Sequence, residues 1–385
     1  MTVSAAARPN SDFAASPRSS LGVEWEMQII DTDSGELRQE VGRLEDALTV
    51  GGEPHQQVHH EIIQSTLEIT SKPRQQVRQA TRDLRQVIEQ VQEVLAPWNA
   101  RTISSGLHPF SRALDQTITP TEHYQNLVGE AQFWARRNIA CGLHVHVGVE
   151  DVRKVIPLSN AVMSYVGHLI ALAANSPFFE AEDTGYAAFR PTVFRQLPTA
   201  GLPPKFRDWD EYVRCVDELT AAQMITSDHN LFWDIRPARH LGTIELRMCD
   251  AVSSPREISA VVAVAQCLVE YFSTELDAGR AIPSDPQWMV WRNSHFASRH
   301  GREATVASYR DGEVQLTAMP QALNEMLQML TPTAQRLGCE RELEEAARMV
   351  QAPSGAERQR QAFRNGGFEA VIRHLETEFD SGFLD

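Results

Sequence analysis

Three short stretches of this chain repeat one pattern that few folds can use: "GVEWEM" from Gly22, "GLHVHVG" from Gly142 and "GTIELRM" from Gly242. Each alternates apolar with ionisable residues, and successive strand side chains point to opposite faces. Glu24 with Glu26, His144 with His146, and Glu245 with Arg247 therefore each share one face of a strand, while the apolar residues between them take the other. Two glutamates spaced this way lie about 6.6 Å apart and repel by roughly 3 kcal/mol at an effective dielectric near 20. Water on an exposed sheet face would relieve any one pair. Solvated faces draw mainly on Lys, Thr and Ser, however, so three pairs built from Glu, His and Arg are read as one shared site.

A chain of 385 residues with 42% hydrophobic and 23% charged residues has the composition of an ordinary globular protein with a large core. No Pro/Gly/Ser-rich linker divides it, so residues 21–385 are expected to form a single catalytic domain with a helical C-terminal part. Residues 1–20, rich in Ala, Ser, Pro and Arg, are expected to be a disordered tail. A formal charge of −15 argues against a nucleic-acid partner and offers no basic surface to a membrane. The apolar stretches at residues 155–179 and 258–272 are interrupted or too short to span a bilayer and read as buried helices. Five cysteines without a C-x-x-C pair suit a reducing cytoplasm rather than a disulfide framework. Oligomeric state is left open, and a homo-oligomer is compatible with everything above.

Along the chain, apolar residues from Val77 to Leu95 recur at helical spacing, with Ser71 as the expected cap, Pro73 in the first turn and Pro97 as the stop. "RTISSGLHPF" reads as a strand, and residues 155–175 as one helix stopped by Pro177. Residues 183–204, punctuated by Pro and Gly, read as a long ordered loop serving a site. Asp208 with Glu211, and Ser254 with Glu257, have capping-box spacing at the start of two further helices.

Glu61 and Glu68 add two carboxylates whose spacing fits one face of a helix or a bulged strand, not a regular strand. Several carboxylates with imidazoles and an arginine suit hard cations such as Mg²⁺ or Mn²⁺ that in turn hold phosphates, which is phosphoryl-transfer chemistry. There is no P-loop or dinucleotide fingerprint. One rival is a zinc-dependent hydrolase with Cys141, His144 and His146 on the metal and a nearby Glu as base, although Cys141 lies at odd separation from both histidines. Another is a catalytically silent nucleotide-binding protein on the same fold.

The blocks "GVEWEM", "HHEIIQSTLEIT", "GLHPF", "CGLHVHVGVED", "NSPFFEAEDTGYAAFR" and "WDIRPARHLGTIELRMCDA", in this order over roughly residues 21 to 310, resemble the glutamate–cysteine ligase type 2, or carboxylate–amine ligase, family. The resemblance implies an α+β, glutamine-synthetase-like fold: a curved, largely antiparallel sheet, backed by helices, with ATP and Mg²⁺ (or Mn²⁺) on its concave face. It implies Glu24, Glu26, Glu61, Glu68, His144 and Glu245 as metal ligands, Arg247 at the transferred phosphate with Glu26 beside it, and His146 on nucleotide or phosphate. Arg190 and Arg236 become candidates for anchoring substrate carboxylate or phosphate, with surface salt bridges as the plainer reading. His108, Trp233 and Cys141 are assigned to packing. The activity implied is phosphorylation of the glutamate side-chain carboxylate by ATP, then capture by an amine such as cysteine. No motif specifies the amine.

Overall fold

A computed structural model describes residues 13–384 apart from Asp311. Its main sheet has seven strands: β1 (Leu21–Asp31), β2 (Val58–His60), β3 (Thr66–Thr70), β4 (Ala100–Ile103), β5 (Gly142–Gly148) and, further along the chain, Ile235–Ala238 and Thr243–Asp250. Two short strands, β6 (Phe178–Phe179) and β7 (Glu182–Asp183), pair separately, which makes the last two sheet strands β8 and β9. The order is β2-β3-β1-β5-β9-β8, with β4 also on β1, and every pairing is antiparallel.

Period-two patterning decides which face is which. Val23, Trp25 and Met27 of β1, Leu143, Val145 and Val147 of β5, and Ile244, Leu246 and Met248 of β9 are all buried in the principal core. Helices Val77–Leu95, Val166–Leu172 and Pro255–Asp277 pack on these strands. Trp25 anchors the C-terminal end of the chain: its indole N–H donates to Ser104 Oγ at 2.8 Å, and its ring lies 5.4 Å from Phe379 and 6.2 Å from Phe383. Pro255–Asp277 is long and apolar enough to cross a membrane by length and composition, yet 78% of its most apolar window is buried against these elements.

Several expectations are corrected. The first long helix starts at Val77 with Gln76 as its N-cap, because Ser71 and Arg74 are claimed by the sheet edge: Ser71 Oγ accepts from the Val23 amide, and Arg74 and Leu21 exchange backbone hydrogen bonds. Of "RTISSGLHPF" only Arg101 to Ile103 is strand, the end of Ala100–Ile103. The helix expected over residues 155–175 is two, Val152–Met163 and Val166–Leu172, bent by 58°. Asp208 does cap its helix, accepting from the Glu211 amide, but Glu211 bonds the Arg207 amide instead of closing the box. Ser254 makes no cap; its hydroxyl lies 3.1 Å from Ser381 Oγ, and Glu257 pairs with Arg358 at 2.8 Å. The C-terminal third also holds an unexpected hairpin, β10 (Thr305–Arg310) with β11 (Glu313–Ala318).

The expected disordered tail falls partly on residues 1–12, outside the described residues. Residues 13–20 are ordered. Ser16 and Ser19 amides donate to Val149 and Gly148, Arg18 pairs with Glu270 at 2.8 Å and with Asp277 at 2.6 Å, and Gln266 donates to the Ser19 carbonyl.

Candidate active site

The face of the sheet turned away from the helices gathers the ionisable pairs by simple register. Glu26 stands opposite Glu68, Glu24 opposite His144, His146 opposite Glu245, and Glu245 opposite Arg236. Directly opposed side chains on one face are within contact distance, so residues far apart in sequence become neighbours. Between Leu143 and Val145 the β5–β9 register shifts, with one extra residue on β9 near Arg247. Such bulges re-aim side chains and bend a strand.

Glu61 and Glu68 meet neither on a helix nor on a bulged strand. They belong to a hairpin, Glu61 just after β2 and Glu68 in the middle of β3, and the return of the chain brings their carboxylates together. Three overlapping sets of donors result, each with its ligand atoms within 4.8 Å of one another: Glu26, Glu61 and Glu68; Glu24, Glu68 and His144; and Glu24, His146 and Glu245. All six residues expected as metal ligands fall in these sets, together with His146. Most donors are carboxylate oxygens, the ligands hard divalent cations prefer, with one imidazole in each of two sets.

Charge is unevenly distributed across the face. At the β9 end, burial opposes the charge on Glu245, but Arg236 and Arg247 outweigh it and hold the carboxyl down at about 2. Both arginines donate hydrogen bonds to it. In the middle, burial is again outweighed at Glu24 by His146 and His144, which hold it well below the usual range; His146 Nε2 lies 2.9 Å and His144 Nδ1 3.2 Å from its oxygens. At the β3 end no arginine or lysine among the described residues forms a salt bridge with Glu26, Glu61 or Glu68, and Arg247 acts on Glu61 and Glu68 only from a distance. Burial and then Glu26 push Glu61 up to about 8, and burial with Glu24, Glu61 and Glu26 pushes Glu68 well above its ordinary value. This end is where a cation would gain most.

Arg190 is not a surface residue. It is 2% exposed, and its terminal nitrogens donate to the Arg247 and Cys249 carbonyls and to His144 Nε2, each at 3.2 Å. The surface salt bridge weighed for Arg190 does not form; from this position Arg190 braces β9 and the His144 ring. Gly142 makes room for it, since a Cβ there would sit 2.1 Å from the guanidinium and 2.7 Å from His144. The Gly142 amide also donates to Glu26. Arg236, 13% exposed at its side chain, spends its Nε on Glu245 rather than on a surface partner. His108 and Trp233 are packed, His108 bonding the Gly35 carbonyl at 3.0 Å.

Sequence reasoning missed two neighbours of the site. His59 faces Glu68 across β2–β3, and its period-two relation to Glu61 in "VHHEI" was the available signal. Tyr124, whose hydroxyl donates to the His60 carbonyl at 3.4 Å, is raised by burial and then by Glu61, Glu68 and Glu26; nothing in its local sequence marks it.

The sequence profile described as glutamate–cysteine ligase family 2 matches residues 20–374. The chain belongs to that family. "Putative glutamate--cysteine ligase 2-2" of Paenarthrobacter aurescens is 37% identical, over 96% of this chain and 98% of its own; a ligase 2 relative from Micrococcus luteus is 39% identical, over 90% and 88%. Among solved structures, glutamate–cysteine ligase of Francisella tularensis in complex with AMP superposes with a TM-score of 0.68 at 11% identity, covering 96% of this chain and 90% of that one. A bifunctional glutathione synthetase from Pasteurella multocida gives 0.63 at 15%, covering 94% and 53%. The α+β fold expected from the sequence, a largely antiparallel sheet backed by helices, is the one found, and the Francisella ligase shares it. This glutamate–cysteine ligase family 2 chain is an ATP-dependent carboxylate–amine ligase.

The zinc-hydrolase alternative fails on geometry in this family 2 ligase. His144 and His146 fall in different donor sets, and Cys141 in none among the described residues. Cys141 is buried in the core, and burial pushes its thiol well above its ordinary pKa. Cys141→Ser should therefore leave the rate of ADP formation within about threefold of wild type; loss of activity together with a stoichiometric zinc ion would contradict the assignment.

Proposed function

We propose that the ionisable face binds ATP and glutamate together with Mg²⁺ or Mn²⁺, and that the ligase joins the glutamate side-chain carboxyl to an amine such as that of cysteine. The observation that carries this reading is the overlap of the three donor sets, which share Glu24 and Glu68 and, at the β3 end, gather Glu26, Glu61 and Glu68 with no arginine or lysine salt bridge among the described residues. Glu24, Glu26, Glu61, Glu68, His144, His146 and Glu245 would hold the divalent ions. Once bound, such ions neutralise the phosphate oxygens and the charge that develops as the phosphoryl group moves.

Arg247 is assigned to the transferred phosphoryl group. Burial opposes its charge, but Glu245, Glu24 and Glu26 keep it fully protonated, and its link to Glu245 fixes the direction of its fork. Arg236 shares Glu245 and extends the positive edge towards the nucleotide phosphates, where His146 also lies. Glu26, fixed by the Gly142 amide, stands beside Arg247 on the same face.

The step balances as follows. A glutamate carboxylate oxygen attacks the γ-phosphorus of ATP, and the bond to the bridging oxygen breaks with release of ADP. The amine nitrogen then attacks the carbonyl carbon of the acyl phosphate, phosphate leaves, and the nitrogen loses a proton to give the amide. Positioning and charge stabilisation carry the catalysis. A cytoplasmic location is the accompanying proposal, supported by five free cysteines, two of which, Cys267 and Cys339, keep their sulfurs 3.6 Å apart without a bond.

Hydroxylamine tests the intermediate without knowledge of the natural amine. With ATP, a divalent ion and glutamate, it should yield glutamyl hydroxamate in proportion to ADP. ADP released at the same rate without any carboxylic acid, or only phosphate and free glutamate under trapping conditions, would overturn the reading.

A further inference from the structure

Away from the sheet face, a cavity of about 360 Å³ opens between the 58° bend at Ser164–Tyr165, the β10–β11 hairpin and helix Met319–Leu337. That volume lies at the lower end of the range for small-molecule sites. None of the metal-donor residues lines it.

Its polar groups are under-used. His168 is 7% exposed and lines the cavity, and its Nδ1 is sealed from solvent without a hydrogen-bond partner. The hydroxyl of Tyr165, a half-buried residue in the same wall, lies 3.8 Å from the Met329 thioether. A sealed nitrogen is seldom left without a partner as His168 Nδ1 is. Burial pushes His168 down to about 4, so the ring is neutral and sets no positive charge against an ammonium group.

Charge selects among ligands. Asp285 lines the cavity with its amide bonded to Ser164 Oγ at 3.3 Å, and Glu325 stands at the mouth holding Gln321. Among the described residues no arginine or lysine lines it; Lys205, outside the wall and bonded to Ser284 at 2.9 Å, acts on Asp285 from a distance. The described lining charges that an anion would meet are carboxylates, whereas a cation meets Asp285 and a neutral imidazole. The rest of the wall is apolar and adaptable: Val306, Met326 and Met329.

We propose that this cavity binds a small organic amine in its ammonium form, the charged end between Asp285 and His168 and a short apolar arm against Met326 and Met329. The site is separate from the catalytic face, and its test needs neither ATP nor turnover.

The probe is n-butylammonium chloride, titrated into the full-length protein without nucleotide, with sodium butyrate as the control of the same arm and opposite charge. Saturable binding is expected at about 1 mM, with butyrate showing none. Asp285→Asn and the cavity-filling Met326→Trp should each weaken it at least tenfold. Methionine-methyl NMR of the wild type is independent of either variant's folding: Met326 and Met329 should shift, and Met27 and Met248, behind the catalytic strands, should not. The proposal is overturned by no saturation below about 50 mM, by butyrate binding equally well, by folded variants that bind within tenfold of wild type, or by methyl shifts at Met27 and Met248 instead.

Discussion

Glu68→Gln should lower the rate of ADP formation by more than about 100-fold, because even groups that merely orient a metal ligand cost 10–100-fold when lost, and Glu68 serves two donor sets. The same change should raise the melting temperature of the metal-free protein at pH 8. Burial and then Glu24, Glu61 and Glu26 make a charge on Glu68 unfavourable, and glutamine removes that charge while keeping shape. Initial rates at saturating Mg²⁺ and glutamate, with melts in a chelator, give both readings from one preparation. A rate within tenfold of wild type, or a metal-free melt well below it, would remove Glu68 from the site.

Stability of the metal-free protein should fall as pH rises from 6.5 to 8, and excess Mg²⁺ should remove most of the fall. Folding raises Glu61 from 4.5 to about 8, and Glu68 shifts in the same direction. Between those values the folded state keeps protons the unfolded chain has lost, so stability is highest at the acid end and is lost as pH rises through the folded pKa. His146 is also raised and acts in the same sense above 6.5. His59, His108, His144 and His168, lowered by burial, act oppositely with most of their effect below 6.5, while Glu257, raised by burial to about 7 and away from the site, adds a part of the fall that Mg²⁺ does not touch. Over this window the loss should be on the order of 2 kcal/mol. Melting curves at the two pH values, with chelator and with Mg²⁺, are the measurement; a pH-independent melt, or one indifferent to the ion, would mean the carboxylates do not repel as described.

What could be read from the sequence followed from periodicity. Glu24, Glu26, His146 and Glu245 lie in regular pairing, where local spacing alone fixes the face, and His144 and Arg247 keep that face across a single bulge. Glu61 and Glu68 carried the right chemistry in an ambiguous spacing, because two strands of a hairpin meet through a turn whose length no period encodes. Arg190 was misplaced for a related reason: its burial depends on the space Gly142 leaves, 48 residues earlier, and on β9 carbonyls nearly 60 residues later. Helix starts failed where a tertiary partner outbid a local cap, as the sheet edge does at Ser71 and as Ser381 does at Ser254. The hairpin after residue 305 did have a signal, alternation around the Asp-Gly pair at 311–312, which went unused.

The central strand gives the molecule a parity. Glu24 and Glu26 between them contribute to all three donor sets, and β1 is aligned residue for residue with β5 from Leu21 to Trp25 and with β3 from Glu24 to Gln28. Gain or loss of one residue between Gly22 and Glu26 would turn part of β1 over, sending a glutamate into the core that holds Trp25 and bringing tryptophan or valine out among the carboxylates. Substitution along this strand can be absorbed position by position, but a change of length by an odd number cannot, so catalysis and the integrity of the core stand or fall together on the count of residues in one strand.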